Sequence, residues 1–390
     1  MELRARIAEE IRRRGPLPFS RYMELCLYEP ELGYYSRAAE QFGKTGDFYT
    51  ASDVHGVFGK LLARQFDEMW RALGAPARIA IIELGPGRGL FAEDVLEWSK
   101  KKFPDFLEAM HYTLIERSPR LSLRLRDRFA RYLGGESPGP APGAAARGEA
   151  PGKVSIAGSL DDVPQLPANV IVFANEFFDA LPVEVIDSRG ELRVALDGEG
   201  LVESFAPPTP EALAFLDRYG VHPQENQRAE ATLAGVDYMR RIAGLVQRGF
   251  VVAIDYGYTR EELLAGRPCS TVRAFRRHTI SDTPYEAPGE QDITANVNFT
   301  ALREVGLTAG LDAGHILTQA QFLMGIGEPN QFGDIFEDAK LPQEHIKLSL
   351  QLKHLVSPAG MGEYFQVLLM HRGVDKDLVR QLSGMTFARK

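Results

Sequence analysis

Two cysteines, Cys26 and Cys269, are all this 390-residue chain contains. They lie far apart and form no metal-ligand spacing, and both read as ordinary buried small residues. A reducing compartment is the default for such a chain. There is no surplus of positive charge either: 45 lysines and arginines stand against 53 aspartates and glutamates, a net charge of −8. A general nucleic-acid binder usually carries a basic surplus, so nucleic acid is not an expected partner. An acidic chain attracts cationic substrates instead. No apolar run reaches the ~18 residues that a membrane span requires. The N-terminal stretch to Gly15 is rich in arginine but also carries Glu2, Glu9 and Glu10. Transit peptides are poor in acids, so this stretch reads as the first helix of the fold, with Leu3, Ile7 and Ile11 on one face. No internal repeat is visible. What remains is ordinary: 44% hydrophobic and 25% charged residues, the composition of a folded soluble protein.

Against that background one stretch stands out, Ile79-Ala-Ile-Ile-Glu-Leu-Gly-Pro-Gly-Arg-Gly-Leu90. An apolar run enters a glycine-rich turn, and Leu90, Phe91, Val95 and Leu96 then fall on one helical face. Strand, glycine loop and helix in that order open a nucleotide-binding α/β sheet. Gly85, Gly87 and Gly89 lack a Cβ, which lets the backbone turn tightly and approach a ligand. The spacing is not the wider one of the dinucleotide fingerprint. No Lys-Ser or Lys-Thr pair follows, which excludes a phosphate-cradling P-loop. Alone, the motif is also compatible with a strand-to-helix turn that binds nothing.

The chain is long for one compact core. A strand over Ile79–Leu84, a helix to about Lys102, a second strand His111–Glu116 and an amphipathic helix Arg120–Leu133 are expected. Short Val154–Ala157, then Val170–Ala174 and Phe250–Asp255, read as further strands; continuous apolar runs suit a parallel sheet covered on both faces. Leu307–Leu311 and Tyr364–Met370 would complete it. Residues 134–153 are rich in Gly, Pro and Ala and are expected to be a mobile loop. About 75 residues separate Asn175 from Asp255, far beyond a usual crossover. Within them Val183–Asp187 and Leu192–Leu196 resemble a hairpin around Arg189-Gly190, followed by helical stretches near Pro210–Arg218 and Arg228–Gln247. The expected organisation is an N-terminal helical region (1–78) contributing to the site, a core (79–182 and 250–390), and an inserted, substrate-facing subdomain (183–249).

In an open parallel sheet, ligands bind beyond the carboxyl ends of the strands. Glu116, at the end of the second strand, is placed to accept hydrogen bonds from ribose hydroxyls; as a surface or helix-capping acid it would serve neither. Glu83 lies just before the glycines. Asn175-Glu-Phe-Phe-Asp-Ala-Leu-Pro182 delivers an amide, a carboxylate, two aromatics and a second carboxylate to a strand end. The bland alternative makes Phe178 core and Asp179 a helix N-terminal acid. The run Arg273, Arg276, Arg277 and His278 reads first as a solvated charge run. Most of the aromatics Tyr34, Tyr35, Phe48 and Tyr49 read as buried.

The loop Glu83-x-Gly85-x-Gly87-x-Gly89 has the form found in S-adenosylmethionine (SAM) methyltransferases. Together with Gly15-Pro-Leu-Pro-Phe-Ser20, Tyr28-Glu-Pro-Glu-Leu-Gly-Tyr-Tyr35, Gly46-Asp-Phe-Tyr-Thr-Ala51, Asn175–Val183, Ile254-Asp-Tyr-Gly257, Arg273–His278, Pro288–Ala295, Thr318–Leu323 and Met361–Val367, in that order, the chain resembles the MidA family of SAM-dependent methyltransferases. Two departures are visible: where the family pattern runs His-Val-Asp-Phe, this chain has Asn296-Val-Asn298-Phe299, with asparagine for both the histidine and the acid.

The resemblance implies a Rossmann-like class I methyltransferase sheet with an N-terminal helical extension and a large insertion. It implies SAM as cofactor, and symmetric dimethylation of an arginine on a subunit of respiratory complex I. Glu83, Gly85, Pro86, Gly87, Gly89, Glu116 and Asn175 are then the cofactor-binding candidates. Glu176, Asp179 and Asp255 are the catalytic candidates, because carboxylates hold a guanidinium by paired hydrogen bonds. Asp47, Phe177 and Asp292 are the substrate-binding candidates, with Asp47 and Asp292 as simple turn acids the alternative. No metal is expected. Partners would be a protein substrate and, as one option, a second copy of the chain; the location would be a bacterial cytoplasm, or the mitochondrial matrix in a eukaryote. Two other readings stay open: a SAM-dependent N-methyltransferase with a different acceptor, and a non-catalytic assembly factor on the same fold.

Overall fold

A computed structural model describes residues 2–37, 56–133, 153–163, 166–268, 270–276, 279–281 and 283–389. Asp47, Phe48, Tyr49, Arg277, His278, Cys269 and residues 134–152 of the expected mobile loop lie outside these.

The apolar runs form one large sheet. Its order is Asp312–Ala313, Phe365–Arg372, Arg248–Tyr258, Asn169–Asn175, Ile79–Leu84, Met110–Ile115, Val154–Ala157. The last five are mutually parallel, and Phe365–Arg372 runs antiparallel beside Arg248–Tyr258. Every residue of Ile79–Leu84 is buried. Successive side chains of a strand point to opposite faces, so the run divides between two cores. Ile79 and Ile81 join Phe173, Phe91 and Phe66 on one face; Ala80, Ile82 and Leu84 join Val172, Met239 and Leu302 on the other. A one-residue slip would exchange the two sets, so burial on both faces fixes the register.

The helix Leu90–Lys102 follows the glycine loop as expected. The helix after the second strand is Pro119–Arg128, shorter than the expected Arg120–Leu133; Ser118 caps it by accepting the Leu121 N–H at 3.3 Å. Leu307–Leu311 is not a strand. It is the end of the helix Phe299–Thr308 and its turn, and the edge strand is Asp312–Ala313. The apolar residues Leu302, Val305 and Leu311 face the sheet from that helix and turn, a helical repeat that a five-residue window conceals.

Val183–Leu196 does form a hairpin, Glu184–Asp187 with Gly190–Asp197. Arg228–Ala231, expected to be helical, is instead a strand against Glu184–Asp187, and the helix starts at Leu233. The small alternating residues Ala229 and Ala231 suit that pleated, buried position. This second sheet also accepts Leu17–Pro18 from the N-terminal region beside Gly190–Asp197. A third core holds Leu3, Ile7, Tyr22 and Leu27 together with Val185, Val194 and Ile293, joining segments remote in sequence. The helix Leu233–Leu245 packs on the large sheet and on Phe299–Thr308. Among the described residues no helix is long and apolar enough to cross a membrane.

Candidate active site

The strand order reverses between Ile79–Leu84 and Asn169–Asn175, and such a switch point opens a crevice at the carboxyl ends. A cleft opens there. On one side it is walled by Glu83, Gly85, Pro86, Gly87, Arg88 and Glu116. Gly85, Gly87 and Gly89 have φ of 63°, 53° and 74°, values an L side chain rarely adopts. A Cβ on Gly85 would come within 3.0 Å of the Phe177 ring, whereas one on Gly89 would strike Leu125 and Phe129 at 2.7 Å. Gly85 thus shapes the cleft. Gly89 lies behind it and lets the helix Pro119–Arg128 pack close.

Glu83 is buried and accepts the Tyr112 hydroxyl at 2.8 Å. Burial pushes its pKa up to about 8. Glu116 is likewise buried; it accepts the Ser118 N–H at 2.8 Å. Burial raises it to about 7, against the pull of the Ser118 and Gly87 backbone N–H groups. Glu116 is therefore a cleft-facing acid rather than a surface one.

The opposite side is built at the end of Asn169–Asn175. Glu176 continues the ladder by donating its N–H to the Ile254 carbonyl at 3.0 Å, yet sits at φ 49°. Backbone in this region costs about 1–3 kcal/mol in a non-glycine residue and needs surroundings that hold it. Asp255 supplies them. One of its oxygens, Oδ2, accepts the N–H groups of Phe177, Phe178 and Asp179 at 3.1, 3.0 and 3.3 Å, and Oδ1 accepts that of Tyr256 at 3.0 Å. The chain wraps around this fully buried carboxylate. Asp255 is not on the cleft wall. Burial and the nearby charges of Asp179 and Glu176 raise its pKa. Its four backbone partners mark it as a residue that shapes the turn.

Asp179 does face the cleft. Its Oδ2 accepts the Tyr256 hydroxyl, and its buried Oδ1 has no hydrogen-bond partner among the described residues. Burial lifts its pKa to about 6, and the Tyr256 hydroxyl opposes that rise. Asn175 donates through Nδ2 to Glu176 Oε1 at 3.1 Å and leaves its own Oδ1 buried and unpartnered. Asp292 arrives from a distant strand, buried, and accepts the Tyr35 hydroxyl at 3.0 Å. Phe177 packs edge-on against Phe178 and Tyr238, with centroids 5.4 and 5.1 Å apart. Phe178 itself is core.

Sequence reasoning missed Tyr28, Tyr238 and Tyr256, which also wall the cleft. Tyr256 follows Asp255 at a strand end and Tyr28 opens one of the stretches that carry the family resemblance, which were usable signals; Tyr238 carried none. Tyr34 is buried as expected, but Tyr35 reaches the cleft. The Asn-for-Asp departure has a structural explanation. Asn298 caps the helix Phe299–Thr308, its Oδ1 accepting the Ala301 N–H at 2.9 Å, while its Nδ2 donates to the Tyr219 carbonyl at 2.9 Å. Asparagine and aspartate cap almost equally well, but only the amide can also donate. Neither Asn296 nor Asn298 is on the cleft wall.

A family model for S-adenosyl-L-methionine-dependent methyltransferases matches residues 61–316. A mitochondrial protein from Drosophila melanogaster, named as an NDUFAF7 homolog and protein arginine methyltransferase, is 30% identical over 96% of this chain and 84% of its own. The human mitochondrial protein arginine methyltransferase NDUFAF7 is 29% identical over 93% of this chain and 82% of its own. Among solved structures, a COG1565 superfamily member from Burkholderia thailandensis bound to S-adenosyl-homocysteine superposes with a TM-score of 0.79 at 30% identity, covering 99% of this chain and 94% of that one. A cleft at the switch point of a Rossmann-like sheet agrees with these likenesses, and the chain belongs to the MidA family of SAM-dependent methyltransferases.

Proposed function

We propose that the acceptor of the methyl group is a guanidinium nitrogen of an arginine in a protein substrate. The resemblance extends this reading to symmetric dimethylation of a respiratory complex I subunit. The observation that carries it is Asp179: a buried carboxylate oxygen without a partner, on the cleft wall beside Glu176. An unpaired buried acceptor is costly unless a ligand satisfies it.

The walls fit the methyl donor. The glycine loop leaves room where a Cβ would intrude, Glu116 offers a carboxylate to a ribose diol, and the free Asn175 Oδ1 offers an acceptor to an ammonium. Glu83, Gly85, Pro86, Gly87, Glu116 and Asn175 would hold it, with Gly89 setting the loop from behind. Bound SAM supplies a methyl group already activated by its sulfonium, so alignment is most of what the protein must add.

The chain's own residues then act on the acceptor. A guanidinium is a weak nucleophile, because its lone pairs are delocalised and its pKa exceeds ~12. Asp179 Oδ1 and Glu176 accept its N–H bonds and polarise one nitrogen. A carboxylate near pH 6 stays ionised at neutral pH and accepts a proton more readily than an ordinary aspartate. Asp255 keeps the backbone carrying both acids in place. Phe177, Tyr28 and Tyr238 exclude water.

The test is turnover on an arginine peptide, read by mass spectrometry. Asp179→Asn should lower kcat by about 100-fold or more while S-adenosyl-homocysteine affinity stays within about threefold. Methyl transfer to lysine in place of arginine would refute the reading.

A further inference from the structure

Behind Phe177, Tyr28 and Tyr238 lies a second cavity that shares these three residues and Arg117 with the methyl-transfer cleft. Its other walls include Arg21, Glu24 and Glu184. The charges there are not equally engaged. Arg21 donates to Glu24 at 2.7 Å and to both oxygens of Glu10 at 3.1 and 3.2 Å. Arg117 donates to the other oxygen of Glu24 at 3.0 Å and lies over the Tyr28 ring. Two arginines thus balance two glutamates. Glu184 is outside that set. Its Oε1 accepts the Ser20 hydroxyl at 2.5 Å, but its Oε2 is buried and has no hydrogen-bond partner among the described residues. On the next strand Arg193 donates to Glu191 at 2.7 Å. Burial raises the pKa of Glu184, and the Ser20 hydroxyl and Arg193 only partly offset this. The cavity therefore carries one carboxylate that, among the described residues, no cation pairs with directly, and Arg193, already engaged with Glu191, offsets its charge only in part.

We propose that this cavity is a second cation subsite, in which Glu184 holds a basic side chain neighbouring the residue that is methylated. The inference rests on the protein-arginine reading only for the identity of the first group. A substrate would then present two cations, one to Asp179 and one to Glu184, on either side of the aromatic partition. This gives specificity by charge: a peptide with a single basic residue leaves Glu184 buried and unpaired, and such discrimination is what unpaired buried groups impose.

Two peptides decide it, acetyl-Gly-Arg-Gly-Lys-Gly-amide and the same peptide with alanine for lysine, titrated calorimetrically into the S-adenosyl-homocysteine-bound protein. Wild type should bind the lysine peptide about tenfold more tightly, and Glu184→Gln should erase the preference without changing affinity for the alanine peptide. In turnover the variant should raise KM for the lysine peptide and leave kcat alone. A preference that survives in Glu184→Gln, or equal binding of both peptides by wild type, would overturn the subsite, as would a variant that only lowers Tm. Crystals soaked in guanidinium chloride separate this failure from failure of the acceptor assignment. Density at Glu184 without density at Asp179 would retain the subsite and reject the arginine acceptor; density at Asp179 alone would reject the subsite.

Discussion

The two walls of the cleft are made in different ways. The glycine-loop wall comes from one continuous strand-loop-helix-strand unit, residues 79–118, with its key groups close in sequence. The acid wall gathers Tyr28, Tyr35, Asn175, Glu176, Phe177, Asp179, Tyr256 and Asp292 from all over the chain. The first wall is held by backbone conformation, three glycines at positive φ. The second is held by a carboxylate, Asp255, that organises a turn containing Glu176 at φ 49°. A wall built from local backbone tolerates little at its glycines. A wall built from hydrogen bonds should lose catalysis by degrees.

Substitutions sharpen that contrast. The largest effect is expected for Gly89→Val, which adds side-chain atoms against Leu125 and Phe129 at an unfavourable φ. Stability should fall by about 3 kcal/mol or more, and calorimetry should find SAM binding lost. SAM binding of wild-type strength in that variant would break the distinction between the walls. Next comes Asp255→Asn. The amide replaces one acceptor oxygen by a donor facing backbone N–H groups, so denaturant melts should show a loss of about 2–4 kcal/mol, and kcat should fall with it. An unchanged melt with a large kcat loss would return Asp255 to the reacting groups.

Tyr256→Phe should be milder. The hydroxyl lowers the pKa of Asp179, so its removal raises it further. The base is active when ionised; the acid limb of the kcat profile, near pH 6 in wild type, should therefore move upward, with about tenfold less activity at pH 6. An acid limb that stays in place would disconnect Asp179 from the rate. The smallest effect belongs to Glu83→Gln. Glu83 has a folded-state pKa of about 8, above its ordinary 4.5. The stability this contributes is fully present below pH 4.5 and is lost as pH rises through 8. Without ligand, the variant's Tm should fall less across that window than that of wild type. Parallel profiles would mean that Glu83 does not titrate there.

Local pattern made the glycine-loop wall legible. Gly85 and Gly87 announce a close backbone approach, and Glu83 and Glu116 sit at strand ends that apolar runs define. Asn175, Glu176 and Asp179 were legible for the same reason, being polar residues at the end of a buried run. Asp255 stood at an equally visible strand end, but which way its carboxylate turned was not visible, and it turned inward to the backbone. The strand Arg228–Ala231 read as helix because its apolar residues are small and its pairing partner lies about 40 residues away. Leu307–Leu311 read as strand because a short apolar run fits either period.

The sequence by itself determined the α/β class, the glycine loop, most core strands and the acids at their ends, because each depends on residues close together in the chain. Only the tertiary structure decided that Leu17–Pro18 joins the inserted sheet, that Tyr35 reaches Asp292 and Tyr256 reaches Asp179, and that Glu184 Oε2 is buried without a hydrogen bond from any described residue. Those outcomes depend on which distant surfaces bury one another, and burial is settled by the whole fold at once.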